Sequence, residues 1–539
     1  MKNKIAILCL LTATVAMAIM PYSLRMRGMG PGLVGIVDDE YSDLYFNPAM
    51  VNNVEGTRVY TNLANLHNTG SDMMFAEWYE LPYYNLIGGI TTYKDMKVGG
   101  FLETGGADMV YTDQDYESEI DGNERWVDST NIEMTLKDLQ TTVGLIWGKT
   151  FGDMKFGILA GPQFTDQHFR INNKTASYYY RNDTLLEYTY EEVDSSAKAN
   201  AMFIPVKAGI CMGTPENEMS ASLAVAYDET YSLFPTKVHN SILLNSISQT
   251  PWTRDISFAN MDEKYDQGGL FVTLGARNKR RFEDYSYSFL GGIEYYNQPG
   301  TITLSDSVYE YEFDSGPSDF VTEEFSQIAK MDGKSSDQGI TVGVGVGAEK
   351  YFDALNTKSL FAIGFIPAYK MGKFKVNINP GTINEYHFNV NYSGDTVEYA
   401  YVTESGEYVE QNINYSGIAL SIPVGLETYL TPRLSFRLGA SQDMMLIFKE
   451  NFEMTMTDSG WAETWTYTHP NDTVITDYEP DGELDSYYTN SEAKTNFANS
   501  TTYYYGFGYK INDNVELNFL NNAALTDLSE WILGVNIKF

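Results

Sequence analysis

The sequence predicts an all-β fold: a closed antiparallel transmembrane β-barrel of 14–16 strands with an N-terminal hatch segment in the lumen. Three observations lead there. Segments of about ten residues alternate apolar and polar side chains, the two-residue period of a strand with one face in lipid. Their connections alternate strictly between very short turns and long polar stretches, as short periplasmic turns and long outer loops do. The last segment, 531–539, alternates too, with Trp531, Leu533, Val535, Ile537 and Phe539 on its apolar side.

Composition agrees with each of these. The 539 residues include 41 Tyr, 28 Phe and 45 Gly, which suits β structure. A mean hydropathy of −0.30 is too polar for a bundle of membrane helices. After residue 20 no segment approaches the roughly 18 apolar residues that a spanning helix needs. A soluble chain of this length would divide into several domains, and a single large barrel is the main exception.

Three regions follow along the chain. Residues 1–18 read as a signal peptide: Lys2 and Lys4 are basic, 5–15 is apolar, and Ala16-Met17-Ala18 fits a small-x-small cleavage site. Residues 19–56 are the expected hatch or plug. Residues 57–539 are the expected barrel, with long acidic extracellular loops. Cys9 lies in the apolar run, so after cleavage Cys211 stands alone and no intrachain disulfide can form. The net charge of −36 repels phosphate backbones and argues against nucleic-acid binding. Acids concentrate at 106–138 and 450–493, both expected as loops.

Seven hairpins are legible. Segment 84–93 pairs with 97–103 across Asp95-Met96, and 141–149 with 154–164 across Phe151-Gly152-Asp153. Segments 203–212 and 219–227 flank a turn at 213–217. Segments 268–277 and 285–296 flank a basic turn, Lys279-Arg280-Arg281. The others are 339–350 with 359–369, 415–428 with 434–446 across Thr431-Pro432-Arg433, and 503–511 with 515–521 across Asn512-Asp513-Asn514. In 341–349, Val342, Val344, Val346 and Ala348 oppose Thr341, Gly343, Gly345, Gly347 and Glu349. In 417–427 the apolar face is Ile418, Leu420, Ile422, Val424 and Leu426, with Glu427 on the other. Fourteen hairpin strands, the final strand and one from 58–79 total sixteen; ambiguity before residue 106 keeps fourteen open. Unpaired backbone cannot face lipid, so the ring must close.

Residues 25–51 carry a further signal: Gly28-Met29-Gly30, the acidic pair Asp38-Asp39, and the box Tyr45-Phe46-Asn47-Pro48-Ala49. This stretch resembles the start of the FadL family of outer-membrane hydrophobic-compound transporters, and of the related PorV family of secretion components. Pro31 and Met50 depart from the family pattern. The resemblance implies a lumen plug with Gly28, Gly30, Asp38, Asn47 and Pro48 as hatch or gating residues. It also implies passive uptake of a small hydrophobic ligand, fatty-acid-like or aromatic, through the cell outer membrane. Trp531 and Phe539 resemble the signal read by the barrel assembly machinery. The PorV likeness implies the alternative, a component of a protein secretion or surface-assembly system with secretion-system partners. A third reading is an adhesive surface protein. Outer-membrane lipid is an expected partner in every case.

Other chemistry is sparse. His67, His168, His239, His387 and His469 are scattered without metal-ligand spacing. No nucleophile elbow or metalloprotease motif is present, so no enzyme is expected. Gly343-x-Gly345-x-x-Ala348 sits inside an alternating strand and reads as a smooth lumen face. Asp477, Glu479, Asp481 and Asp485 resemble half of a calcium loop. Tyr488 stands where a closing Glu would be needed, so calcium is the one cofactor considered, as a weak site within 449–499.

Overall fold

The structure, a computed structural model, describes residues 23–63, 83–182, 184–245, 252–315, 320–354, 357–379, 382–390, 396–403, 407–458, 462–468, 474–480, 486–491, 498–521 and 531–539. The expected signal peptide lies outside them. Sixteen antiparallel strands form one closed ring. They are β1 Arg58–Leu63, β2 Tyr83–Tyr93, β3 Met96–Asp121, β4 Glu124–Phe151, β5 Met154–Ala160 continuing as Gln163–Arg181, β6 Thr184–Thr214, β7 Asn217–Asn245 and β8 Trp252–Arg281. The ring goes on through β9 Tyr285–Ser315, β10 Phe320–Ala354, β11 Thr357–Ile378 with Thr382–Val390, and β12 Thr396–Thr403 with Glu407–Tyr429. It is completed by β13 Leu434–Asp458 with Ala462–Thr468, β14 Val474–Pro480 with Ser486–Ser491 and Ala498–Asn512, β15 Val515–Asn521 and β16 Trp531–Lys538. Closure is made by β1, where Arg58 faces Ile90 on one side and Lys538 on the other. Every strand thereby has a neighbour on both sides, which closes the ring through the zone where backbone groups face lipid.

All seven expected hairpins form, and sixteen is the strand count. The long polar stretches correct the sequence reading. Residues 106–138 are not a loop: β3 and β4 stay paired from Met96↔Lys149 to Asp121↔Glu124, turning at Gly122 with φ 62°. The same holds through much of 165–199, 229–266, 297–336 and 371–412. Two-faced patterning is the usual sign of a strand. Where a wall stands in water on both faces, polar residues occupy both, and the alternation that marks the lipid zone disappears. At ~3.3 Å per residue a strand such as β9 runs about 100 Å, several times the ~30 Å hydrocarbon core.

The lipid zone is legible on the outer face. Ile204, Val206, Ile210 and Met212 of β6, Val342, Val344 and Val346 of β10, and Phe361, Ile363 and Phe365 of β11 are all exposed. Their alternation partners point inward, where Leu360 and Ala362 are buried. Aliphatic side chains on the outside of a closed ring reverse the rule for water-soluble folds and fit a lipid solvent. No helix among the described residues is long and apolar enough to cross a membrane.

Candidate functional site

Residues 23–57 pack on the inner face of the ring at the short-turn end. Local sequence dictates their shape. Ser23 caps helix α1, Leu24–Met29, by accepting from the Met26 amide at 3.1 Å, and Gly30 ends it at φ 105°. Asp39 caps helix α2, Glu40–Phe46, accepting from the Ser42 amide at 2.9 Å. Asn47 then caps a 3-10 turn, Pro48–Asn53, accepting from the Ala49 amide at 2.9 Å. Each cap satisfies a helix-end donor that would otherwise be orphaned inside the ring. Met26, Met29, Leu33, Ile36 and Val37 are buried with Leu360 and Ala362 of the wall; Tyr41, Leu44, Val51 and Val54 are buried with Tyr60, Leu86, Ile90, Phe101 and Ile146. Full burial of each such side chain contributes about 1.5–3 kcal/mol.

Wall glycines make room for this segment. A Cβ on Gly439 of β13 would lie 2.1 Å from the Met29 carbonyl oxygen, and one on Gly157 of β5 would lie 2.2 Å from that of Pro48. The backbones approach closely enough that no side chain fits between them.

Charged clamps supply direction. The Lys279 ammonium of β8 is fully buried, 2.9 Å from both Asp38 and Glu349, and it donates to the Ile36 carbonyl at 2.6 Å. Arg281 forks onto both Asp38 oxygens at 3.0 and 2.9 Å. Burial alone would raise the Asp38 carboxyl; Lys279, and then Arg281, instead hold it well below the usual carboxylate range. Arg277 pairs with Glu218, reaches Asp43 at 3.4 Å, and lies over the Phe46 ring at 5.2 Å. Burial pushes the Asp43 carboxyl up to about 7; Arg277 opposes the rise, and Asp38 and Asp39 add to it. On the opposite wall Arg25 grips Glu427 at 2.7 Å, and Arg437, itself buried, holds the same carboxylate at 2.7 Å. Arg58 pairs with Glu40 at 2.8 Å. The segment is thus tied to β1, β8, β12 and, through Glu427, β13.

Beyond the segment, away from the short turns, an aromatic row lies on the inner wall. Phe271 of β8 and Tyr296 of β9 are direct cross-strand neighbours, with ring centroids 5.9 Å apart and planes 22° apart. Phe203 of β6 meets Phe271 edge-on at 6.0 Å. Tyr296, Gly339, Gly372 and Tyr415 occupy one rung across β9 to β12. The two tyrosines bend over the two glycines until their hydroxyls hydrogen-bond. A Cβ on Gly339 would meet three Tyr296 atoms, Cε1, Cζ and the hydroxyl oxygen, at 2.6–2.8 Å. The ring therefore lies flat in the gap with one face toward the bore. The next rung is polar: Tyr296 donates to Asp337 at 3.2 Å, and Gln298 donates to Asp228 at 2.7 Å.

The expected hatch residues are brought together against the wall. Gly28 backs onto Gly506, and a Cβ on Gly30 would lie 3.3 Å from the Tyr504 ring. Asp38 is clamped as described. Asn47 donates to the Ile210 and Ala221 carbonyls at 3.0 and 3.1 Å, and Pro48 opens the 3-10 turn against Gly157. Trp531 pairs with Asn521 in β16, and Phe539 is exposed, its amide donating to Thr57 at 3.0 Å. For the calcium expectation, Asp477 and Glu479 stand on a strand of β14 opposite Trp465 and Glu463; Asp481 and Asp485 lie outside the described residues. The described residues hold no group of three metal-ligating side chains.

Sequence reasoning missed the clamps and the aromatic row. Lys279-Arg280-Arg281 was expected as a turn, but β8 runs through Arg281, so Lys279 points inward and Arg280 outward to solvent. A cation on the inward parity of a strand end, in a chain with twice as many acids as bases, was the available signal.

No family model matches the chain, and no curated protein matches it. Among solved structures, the copper transporter OprC is 9% identical over 90% of this chain and 80% of its own, with a TM-score of 0.21. The siderophore receptor PirA from Acinetobacter baumannii is 8% identical over 90% and 81%, with a TM-score of 0.18. Likenesses this low carry no argument about this chain.

Proposed function

We propose that the chain is a FadL-like passive conduit of the outer membrane for small hydrophobic compounds, with residues 23–57 as its hatch. One observation carries the reading: an internal segment is clamped by buried ion pairs across one end of a lipid-belted ring, below a row of inward-facing aromatic rings. A clamp of that kind can switch, because losing one partner leaves a buried charge uncompensated, at a cost of about 3–5 kcal/mol. Of the two cargo types the resemblance implies, the rings favour the aromatic. A fatty acid would bring its carboxylate beside Asp228 and Asp337, where like charges repel.

The test is conductance in planar bilayers. Replacing Asp38 with Lys sets three cations against one another and should displace the segment, raising single-channel conductance severalfold. Equal conductance in wild type and variant, with both inserted, would remove the hatch from the proposal.

A further inference from the structure

The ring rung and the polar rung beyond it form one surface. Side chains two residues apart on a strand share a face, about 7 Å apart. Tyr296 and Gln298 stand in that relation, and Gln298 directly faces Asp337 of β10. A planar molecule stacked on Tyr296 and Phe271 would therefore project its edge onto Asp337 and Asp228.

Those two groups are acceptors. Asp228 is buried, takes a hydrogen bond from Gln298 and has the Glu229 backbone N–H on its carboxylate, which still leaves acceptor lone pairs unused. Asp337 is half-buried and takes one hydrogen bond from Tyr296. Buried acceptors left unfilled are costly, so a ligand that supplies donors gains what a bare hydrocarbon does not. A carboxylate ligand offers acceptors only and meets like charge.

We infer that this surface selects flat aromatic compounds carrying hydroxyl or amino donors, phenols being the simplest class, over aromatic hydrocarbons and aromatic carboxylates. The inference rests on the conduit reading above. The rings supply stacking area, and the carboxylates supply the choice among ring compounds.

The experiment uses full-length protein in nanodiscs and three probes of matched shape: p-cresol, toluene and p-toluate. Saturation-transfer NMR, with empty nanodiscs as control, reads binding, and competition gives relative affinities. The expected order is p-cresol first, ahead of toluene by about tenfold or more, with p-toluate weakest. Asp228→Asn with Asp337→Asn should shrink the cresol preference to roughly threefold, since charge-assisted bonds are about twice as strong as neutral ones. Tyr296→Phe keeps the ring, frees Asp337 of its internal donor, and should widen the preference. This second variant serves if the double variant does not fold. Toluene binding as well as p-cresol, or p-toluate binding best, would overturn the donor-selective inference while leaving the conduit standing. Absence of saturable binding by any probe would overturn both.

Discussion

Replacing Gly439 with Ala separates the segment from the wall that holds it. The new Cβ would sit 2.1 Å from the Met29 carbonyl oxygen and 2.3 Å from its carbon. Carbon–oxygen contacts settle near 3.3 Å or beyond, so the Met29 carbonyl must retreat by about 1.2 Å. Those atoms belong to the backbone at the end of α1 and cannot rotate away. Overpacking of this kind costs about 1–3 kcal/mol, which multiplies the population of released segment by roughly 5 to 150. The strand itself should gain, because Gly inside a strand is weaker than Ala by roughly 0.5–1 kcal/mol. The two effects have opposite sign. Hydrogen-exchange mass spectrometry over 24–37 should show faster exchange, while the unfolding temperature of the barrel on a heat-modifiability gel holds or rises. Gly291→Ala is the control, since nothing lies within 4 Å of its Cβ position. Unchanged exchange over 24–37 in the Gly439 variant would refute the argument that wall glycines seat the segment.

Other outcomes follow from the same geometry. Asp43 is raised to about 7 from an unfolded value near 3.9. Its contribution is therefore fully present below about pH 4 and lost as pH rises through 7. Asp38 is lowered, so its contribution is present above about pH 4 and lost only in stronger acid. Segment protection factors, with intrinsic exchange divided out, should accordingly be largest near pH 4–5 and fall toward pH 8, and Asp43→Asn should flatten that fall. Asn47→Ala removes two bonds to wall carbonyls and one cap, and should loosen 47–53 by about 1–3 kcal/mol in exchange experiments. Arg437→Met leaves Glu516 and Asn518 without a partner they now share and Glu427 with Arg25 alone; a drop of several degrees in unfolding temperature is expected. Shortening the β3–β4 hairpin by removing 109–134 should leave detergent-resistant folding intact, because the paired residues 96–108 still span the lipid zone; failure to insert would show that the protruding wall is needed for assembly.

Sequence reading went furthest where lipid enforces it. Val342, Val344 and Val346 announce β10 because one face of the strand must be apolar. The same reading failed at 106–138, where water on both sides removes that constraint and only the hairpin turn at Gly122 remains as a sign. Asp38 and Asn47 belong to the motif read at residues 25–51, and each contacts the wall. Their partners were hidden for a different reason. Lys279 and Asp38 are 241 positions apart in sequence, and the ring's register alone brings them together. Tyr296 and Tyr415 meet only because Gly339 and Gly372 stand between them on adjacent strands, a relation no single stretch of sequence displays.

The seam of the ring has a consequence for biogenesis. Glu55 and Lys538, 483 positions apart, meet beside the pairing of β1 with β16. Contacts of such separation are slow to form, because loop-closure entropy must be met before they reward it. Residues 23–57 immediately precede β1, and they hold carboxylates that pair with cations on β8 and an arginine, Arg25, that pairs with Glu427 of β12. They can thus gather distant strands around themselves before the seam zips, acting as an internal mandrel on which the cylinder is wound.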